Sequence, residues 1–400
     1  MNNNQIVVGG SGSGKTMSIT EPCLLHTKHR NLIVTVTKPR IVGQYAPMLE
    51  ERGYRVVTLN FAAPEKSDLT FDPLDFVRSD QDIIHLARSI VLANPKKRES
   101  NNADPYWDEA AVSLLSALIA GVLVRNPGAG FGEVLRMFRL LAVVNDESIS
   151  TNYDDFFDSL HYGDRGIFAQ TNWNNFRRLP GKTAGCVMSA LGVMLSQLFS
   201  TELTDMMKKP EKLDLRTMAR EKTVLFVVSS PVNQGLNAFV SLFYAMAIKE
   251  LFEFAETCPG GKLPIATHIL CDDFATGAPI PQFDQYISII REKELSVTLL
   301  CQSETQLESL YGRAGAITVI NNCDSYVYTG GMDLETARRI GQRLNLPPDE
   351  ILAMELGKFT VFRRGCKPVV ARRYPILEDP LYQQLIREHK AQRQACAEIL

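Results

Sequence analysis

Gln5-Ile6-Val7-Val8-Gly9-Gly10-Ser11-Gly12-Ser13-Gly14-Lys15-Thr16 decides how the rest of the chain is read. Its first four residues are an apolar run fit for a buried strand. The next eight fit G-x-x-x-x-G-K-[ST], a P-loop, with a helix expected from about Lys15. The chemistry requires these residue types. Glycines let successive backbone N–H groups converge on phosphate oxygens, and the helix start adds its positive dipole end. Lys15 reaches the β and γ phosphates, and Thr16 can hold Mg²⁺. A Gly/Ser linker has the same composition, but a linker is not preceded by a buried strand.

Outward from this loop, strands and helices alternate. Pro22 is expected to end or kink the P-loop helix. Two β-rich runs follow, Asn31–Val36 and Arg55–Leu59, then a helical stripe through Ile83, Ala87, Ile90 and Val91. The polar run Asn94–Pro105 reads as an exit linker. From Trp107 to about Met218 only helical runs are evident (Glu109–Val124, Gly132–Val143, Lys182–Phe199), broken by Asn126-Pro127-Gly128 and Pro180-Gly181. The β/α rhythm returns with Thr223–Ser229, Ile265–Asp272, Ser296–Gln302, Ser325–Thr329 and Lys358–Arg363. The fold class expected is α/β, a mostly parallel sheet with an inserted all-α domain. The segments are 1–95 for the first part of the nucleotide-binding core, 96–218 for the helical insertion, 219–379 for the second part and 380–400 for a C-terminal helix. That last helix mixes charges with small apolar residues and is expected on the surface or facing a partner.

In a parallel α/β sheet the ligand site lies at the carboxyl ends of the strands. Two further elements belong on that edge. His268-Ile-Leu-Cys-Asp272-Asp273 is a strand closing in paired carboxylates, as a Walker B motif does: Asp272 serves the Mg²⁺ shell and Asp273 polarises an attacking water. The plainer account of the pair is an N-cap before a loop. Ser296–Gln302 is the next strand and ends in an amide, suited to sensing the γ-phosphate or positioning water; an ordinary strand-end polar residue remains the alternative.

The formal net charge is −2, with 22% charged and 45% hydrophobic residues. This excludes global disorder and a polybasic, histone-like protein, so contact with nucleic acid has to be patchy. The eight cysteines are scattered, without C-x-x-C or metal-ligand spacing, and no signal peptide is seen, which places the chain in a reducing cytoplasm. Ala110–Val124 is uncharged but short for a membrane span, and Thr183–Thr201 carries too many polar residues; both read as buried helices.

These motifs together resemble the type IV secretion and conjugation coupling proteins, membrane-tethered hexameric ATPases that bring DNA and its relaxase to a transfer channel. The resemblance rests on Val7–Thr16 with Pro22 downstream, on Phe71-Asp-Pro-Leu74, and on Asp104-Pro-Tyr-Trp107 opening the insertion. The most specific block is Leu270-Cys-Asp-Asp-Phe-Ala275 running through Ile290-Arg291-Glu-Lys-Glu-Leu-Ser296 to Gln302 and Gln306-Leu307. Three departures stand out. Asp272-Asp273 replaces the family's usual Asp-Glu, one methylene shorter, so hydrolysis is expected to be slow. Thr37-Lys-Pro-Arg40 lacks the acid of the family's D-P-K-G-E-like segment. Met1 lies a few residues before the first strand, so the family's N-terminal membrane segment is expected to be missing.

The resemblance implies a RecA-like P-loop NTPase core acting as a cytoplasmic ATPase motor, with ATP and Mg²⁺ between subunits. Its cargo would be single-stranded or duplex DNA and a relaxase, and its partners the relaxosome and the channel proteins. A homo-hexamer is implied when active, with a monomer possible in solution, held at the inner face of the membrane through partners. Arg291 ends the helix after the Walker B strand and lies away from its own strand tops; the resemblance implies an arginine finger acting in trans. A surface ion pair with Glu292 or Glu294 is the plainer account, and Arg313 and Arg338 are the fallback fingers. Trp107 is expected as a core anchor of the insertion. Basic clusters at Lys96-Lys-Arg98, Arg177-Arg178, Lys208-Lys209, Arg363-Arg364 and Arg372-Arg373 could track phosphates in a ring lumen or groove, and a solvated surface is the plainer account of any one of them. The rival function is a nucleotide-gated adaptor that recruits substrate protein with little turnover. A P-loop kinase fits poorly, because more than 250 residues part Lys15 from Asp272 and no Arg-rich lid is found.

Overall fold

The computed structural model describes residues 3–93, 105–141, 143–145, 150–160, 163–230, 233–274 and 278–398. In chain order its strands are β1 (Gln5–Val8), β2 (Asn31–Val36), β3 (Arg55–Asn60), β4 (Val143–Asn145), β5 (Ser150–Thr151), β6 (Thr223–Val228), β7 (Thr267–Cys271), β8 (Leu295–Cys301), β9 (Ser325–Tyr328), β10 (Lys358–Arg363) and β11 (Val369–Arg372). All but β4 and β5 form one sheet, ordered β11-β10-β9-β1-β8-β7-β2-β6-β3. Every pairing from β9 to β3 is parallel; β10 runs antiparallel to both β9 and β11. Every residue of β2, β6 and β7 is buried. Parallel strands covered on both faces need no polar side, so they read as continuous apolar runs.

The chain divides into two compact units, residues 1–62, 214–232 and 248–400 in one and 63–213 and 233–247 in the other. The first holds the nine-stranded sheet. On one face of it Leu24, Leu25, Ile41, Tyr45 and Leu49 pack with Val34, Phe226 and Leu270 from the strands. The C-terminal helix Pro380–Glu398 buries Tyr382 and Leu385 in the same cluster, so its apolar side is a core face rather than a free partner-facing one. The P-loop helix continues through Pro22. Thr16–Thr20 form a wide π turn, and Pro22 sits at the start of the α-helical part, Glu21–His26. Glu21 N–H donates to the Thr16 carbonyl, five residues back, and Pro22 falls in the first turn of the α-helical part, where its missing N–H and fixed φ are tolerated. Strand β11 turns its apolar residues to solvent: Val369 and Val370 are 56% and 62% exposed, and its register is set by antiparallel pairing with β10.

The second unit is helical, built round Pro105–Arg125, which packs against Asp80–Leu92 and Asp164–Arg177. Among the described residues it departs from helix in an isolated parallel bridge, Thr70 to Lys212, and in the β4–β5 hairpin, three residues against two, too short to show any period in the sequence. The central helix is long and apolar enough to cross a membrane, and 72% of its most apolar stretch is buried in the protein. It is a core helix by that measure. Residues 63–93 and 233–247 sort with this unit because Phe71 packs edge-on against Phe239 and Phe243, 5.6 and 5.3 Å between ring centroids. The expected break at 95/96 and the Asn94–Pro105 linker fall almost wholly outside the described residues. Trp107 is 40% exposed, against the expectation of a core anchor; it stands in the first turn of its helix, and burial begins at Ala111. The buried tryptophan is Trp173, stacked on Phe157 at 4.1 Å. Asp72 of Phe71-Asp-Pro-Leu74 caps two helices at once, accepting the N–H of Leu74 at 2.9 Å and that of Phe131 at 2.9 and 3.1 Å.

Candidate functional site

Strand order brings the sequence motifs together. β1 lies beside β8, and β8 beside β7, all parallel, with Val8 level with Cys301. The loop after β1, Asp272 and Asp273 after β7, and Gln302 after β8 therefore emerge on one edge. Gly9 N–H donates to the Cys301 carbonyl at 3.1 Å, and Gly10 N–H to the Gly330 carbonyl at 2.8 Å. Gly14 has φ +84°, a conformation that favours glycine.

Thr16 Oγ1 donates to Asp272 Oδ2 at 2.7 Å, joining the two motifs across 256 residues of sequence. Lys15, 8% exposed, turns its ammonium back to the Gly9 and Gly10 carbonyls. Burial lowers its pKa, and the Asp273 and Asp272 carboxylates partly offset this. Burial raises the Asp272 carboxyl, opposed by the Thr16 hydroxyl. Asp273 takes φ +54°, in the left-handed region that Asp tolerates, and its N–H donates to Asp272 Oδ1 at 3.1 Å. Gln302 N–H donates to Gln306 Oε1 at 3.3 Å, so Gln306 holds the end of β8. Ser11, Gly12, Gly14, Lys15, Thr16, Asp272, Asp273 and Gln302 line one cleft of about 400 Å³.

The same cleft takes residues to which no role was assigned in the sequence. Lys38 and Arg40, from the Thr37-Lys-Pro-Arg40 segment, line it together with Glu21 and Tyr382. Glu21 is buried, accepting from Tyr45 Oη at 2.9 Å with Arg40 at 3.9 Å. Thr329, from the end of β9, donates to Ser13 Oγ at 2.8 Å beneath the loop. The Lys-Pro-Arg tripeptide was the one visible signal among these.

Arg291 stands elsewhere. It lies in the turn Ile290–Lys293 and lines a separate cleft with His29, Arg30 and Thr267, at the amino ends of β2, β7 and β8. Arg313 and Arg338 are exposed and line no part of the P-loop cleft; Arg338 pairs with Glu335 at 3.5 Å. Of the basic clusters, Lys96–Arg98 lies outside the described residues. Arg177 pairs with Asp154 and Asp158, Lys208 with Asp205, and Arg364 with Asp324.

A mostly parallel sheet carrying this loop and an acidic pair two strands away is a RecA-like P-loop NTPase core, here with a helical unit. The chain belongs to the Type IV secretory system Conjugative DNA transfer family, whose family model matches residues 2–346. It is 30% identical over 143 residues to the conjugal transfer protein TraG of Rhizobium radiobacter; the match spans 34% of this chain and 21% of that protein. Among solved structures it is similar to the plasmid coupling protein TrwB in complex with a non-hydrolysable GTP analogue. That likeness has a TM-score of 0.69 at 15% identity, covering 93% of this chain and 85% of the other. TrwB in complex with ADP and Mg²⁺ gives the same score at 16% identity and the same coverage. VirB4 of Thermoanaerobacter pseudethanolicus is similar at a TM-score of 0.54 and 12% identity, covering 96% and 91%.

Proposed function

We propose that this chain binds ATP with Mg²⁺ and acts as the ATPase motor of a conjugative coupling protein, delivering DNA and its relaxase to a type IV secretion channel. The observation that carries the reading is the 2.7 Å bond between Thr16 and Asp272 with Lys15 buried beside it. A hydroxyl and a carboxylate oxygen are hard donors that suit Mg²⁺, which retains waters and phosphate oxygens as further ligands. Bound there, the ion would neutralise charge on the phosphates. In this reading Thr16 and Asp272 hold the ion, and the N–H groups of Gly9 to Thr16 cradle the phosphates. Lys15 swings from its loop carbonyls to the β and γ oxygens. Asp273 takes the proton of the attacking water, Gln302 orients that water or senses the γ-phosphate, and Arg291 serves a neighbouring subunit in a hexamer.

Asp273 also supports the second reading, a nucleotide-gated adaptor. Its side chain is one methylene shorter than glutamate, and misplacing a base by an ångström costs on the order of 100-fold in rate. ATP turnover with and without single-stranded DNA, with oligomeric state followed by light scattering, separates the two. A DNA-stimulated rate supports the motor; tight ATP binding without turnover supports the adaptor. A chain that fails to bind ATP refutes both.

A further inference from the structure

The nine-stranded sheet ends differently on its two sides. β3 closes one side mostly buried, while β11 stands at the other with both of its valines more than half exposed. Val369 and Val370 lie on opposite faces of the strand, so at this edge neither face is covered. Arg373 N–H donates to the Gly357 carbonyl at 2.8 Å, which fixes the alternation along the β10–β11 ladder. Val369 and Ala371 therefore bond inward to Val361 and Phe359, and Val370 and Arg372 turn their N–H and C=O groups away from β10. No described strand lies on that side. An outward row of this kind is a template for one more strand.

The hairpin is also strongly basic. From Lys358 to Leu377 the chain carries six basic residues and no acidic one, although its formal net charge is −2. Arg364 is held by Asp324 at 3.2 Å, whereas the exposed Lys367 and Arg372 form no ion pair among the described residues. Short strands, proline and charge keep sheet edges from pairing at random, and β11 has all three: four residues, Pro368 before it and Arg372 within it. Of these, charge selects. A second copy would set basic against basic across the new ladder, which destabilises it, while an acidic strand is attracted. A nucleic acid is attracted as well, but it leaves the outward N–H and C=O groups unpaired. It would also find no ring to stack on, because Phe359 is buried and Phe362 is engaged by Tyr326 and Arg343.

We propose that β11 is a docking edge for an extended acidic segment of a partner protein, which joins the sheet as a further strand. Its main chain pairs with Val370 and Arg372, and its carboxylates meet Lys367 and Arg372. Main-chain bonds supply the affinity in such an arrangement and the side chains supply the choice of partner. The inference makes no use of the nucleotide, and the hairpin lies beyond residue 346, where the family-model match ends.

The test is fluorescence anisotropy of the full chain with a labelled peptide of alternating glutamate and valine. Two control probes are the same peptide N-methylated at every second residue, which keeps each charge and removes pairing donors, and single-stranded DNA. The N-methylated peptide is expected to bind at least about tenfold more weakly than the parent peptide. Val370→Pro removes an outward donor and no bond to β10, so it should cost the peptide about tenfold or more while the fold and Mg-ATP affinity stay as they are. Lys367→Glu with Arg372→Glu should weaken the acidic peptide about as much and admit a peptide of alternating lysine and valine instead. Lys15→Ala should leave peptide binding within about twofold, so failure of the ATP reading and failure of this one are told apart. Equal binding of the two acidic peptides, or indifference to Val370→Pro, would mean charge attraction without strand addition and overturns the proposal. So does single-stranded DNA that binds at the hairpin where the peptide does not, and so does self-association of the chain that Val370→Pro abolishes, which would make a second copy the occupant.

Discussion

Gly9→Ala tests how tightly the loop is built into the sheet. A Cβ on Gly9 would lie 1.8 Å from Thr329 Oγ1, 2.9 Å from the Gly330 carbonyl oxygen and 3.0 Å from Ser13 Oγ. Ordinary contact begins at 3.4 Å, so the Thr329 hydroxyl has to retreat by about 1.6 Å. Thr329 is 2% exposed and bonded to Ser13 Oγ at 2.8 Å, so retreat breaks a buried hydrogen bond. Losing that bond costs about 1 kcal/mol and the overpacking about 1–3 more, so Gly9→Ala should destabilise by about 2–4 kcal/mol. Thr329→Ala alone should cost about 1–2 kcal/mol. Because it also removes the atom that clashes, the double variant should be at least about 1 kcal/mol more stable than the two costs added. Urea unfolding of the four proteins reads the cycle, and calorimetry with Mg-ATP reads whether the displaced loop still binds. Additive costs, or a Gly9→Ala cost below about 0.5 kcal/mol, would show that the loop yields and that Gly9 is not there for want of space.

Lys15→Ala should weaken ATP binding about 10- to 150-fold, the loss of one charge-assisted contact of about 1.5–3 kcal/mol, with thermal unfolding little changed; calorimetry in Mg²⁺ checks it. Asp273→Glu is expected to raise turnover and Asp273→Asn to lower it; a parent-like rate in Asp273→Asn would make the residue a turn former rather than a base. Burial pushes the Asp72 carboxyl up to about 6 from 3.8, so its stabilising contribution is complete below pH 3.8 and lost as pH rises through 6. That loss is about 3 kcal/mol, and since Asp72→Asn removes it, the stability of the variant relative to the parent should improve by that order between pH 4 and pH 7.5 in urea unfolding; a pH-independent difference refutes the assignment. Arg291→Ala and Lys15→Ala chains, each inactive alone, should regain ATPase activity when mixed on single-stranded DNA, because mixed interfaces pair an intact loop with an intact finger. A mixture that assembles and stays inactive removes Arg291 from the mechanism.

The site was legible where its chemistry is written locally. Gly9 to Thr16 and Asp272-Asp273 announce themselves because a strand end and its turn supply several groups in consecutive residues. Parallel pairing then aligns those turns without further information, which is why Thr16 and Asp272 meet. Groups that reach the loop or its cleft singly left no pattern. Thr329 and Tyr382 are ordinary residues at the end of a strand and near the start of a helix, and only the sheet order and the docking of the C-terminal helix give them a place. Arg373, its Nη1 standing 3.5 Å from where a Cβ on Gly14 would be, was visible only as half of a basic pair, since nothing in β11 says that the chain returns to the P-loop edge. Trp107 was the expected anchor and Trp173 went unremarked; what separates them is that one sits in an exposed first helical turn and the other inside an aromatic stack.

The position of Arg291 constrains any mechanism that uses it. It sits before β8, and Gln302 follows that strand; seven residues at about 3.3 Å each put the amino and carboxyl ends of β8 about 20 Å apart. An arginine side chain cannot span that distance across a packed sheet, so within one chain Arg291 and Lys15 never share a phosphate. If Arg291 acts on ATP at all, it acts on a neighbour's, and a lone chain then has half a catalytic site. Turnover should in that case depend on whatever raises the local concentration of chains. DNA bridging several of them would do so, through phosphate contacts that salt weakens, making ATPase activity rise with DNA and with protein concentration and fade as ionic strength increases. A rate proportional to chain concentration throughout, indifferent to DNA, would mean that each chain completes its own site and that the basic groups already in its cleft, Lys38 and Arg40, are the ones to examine.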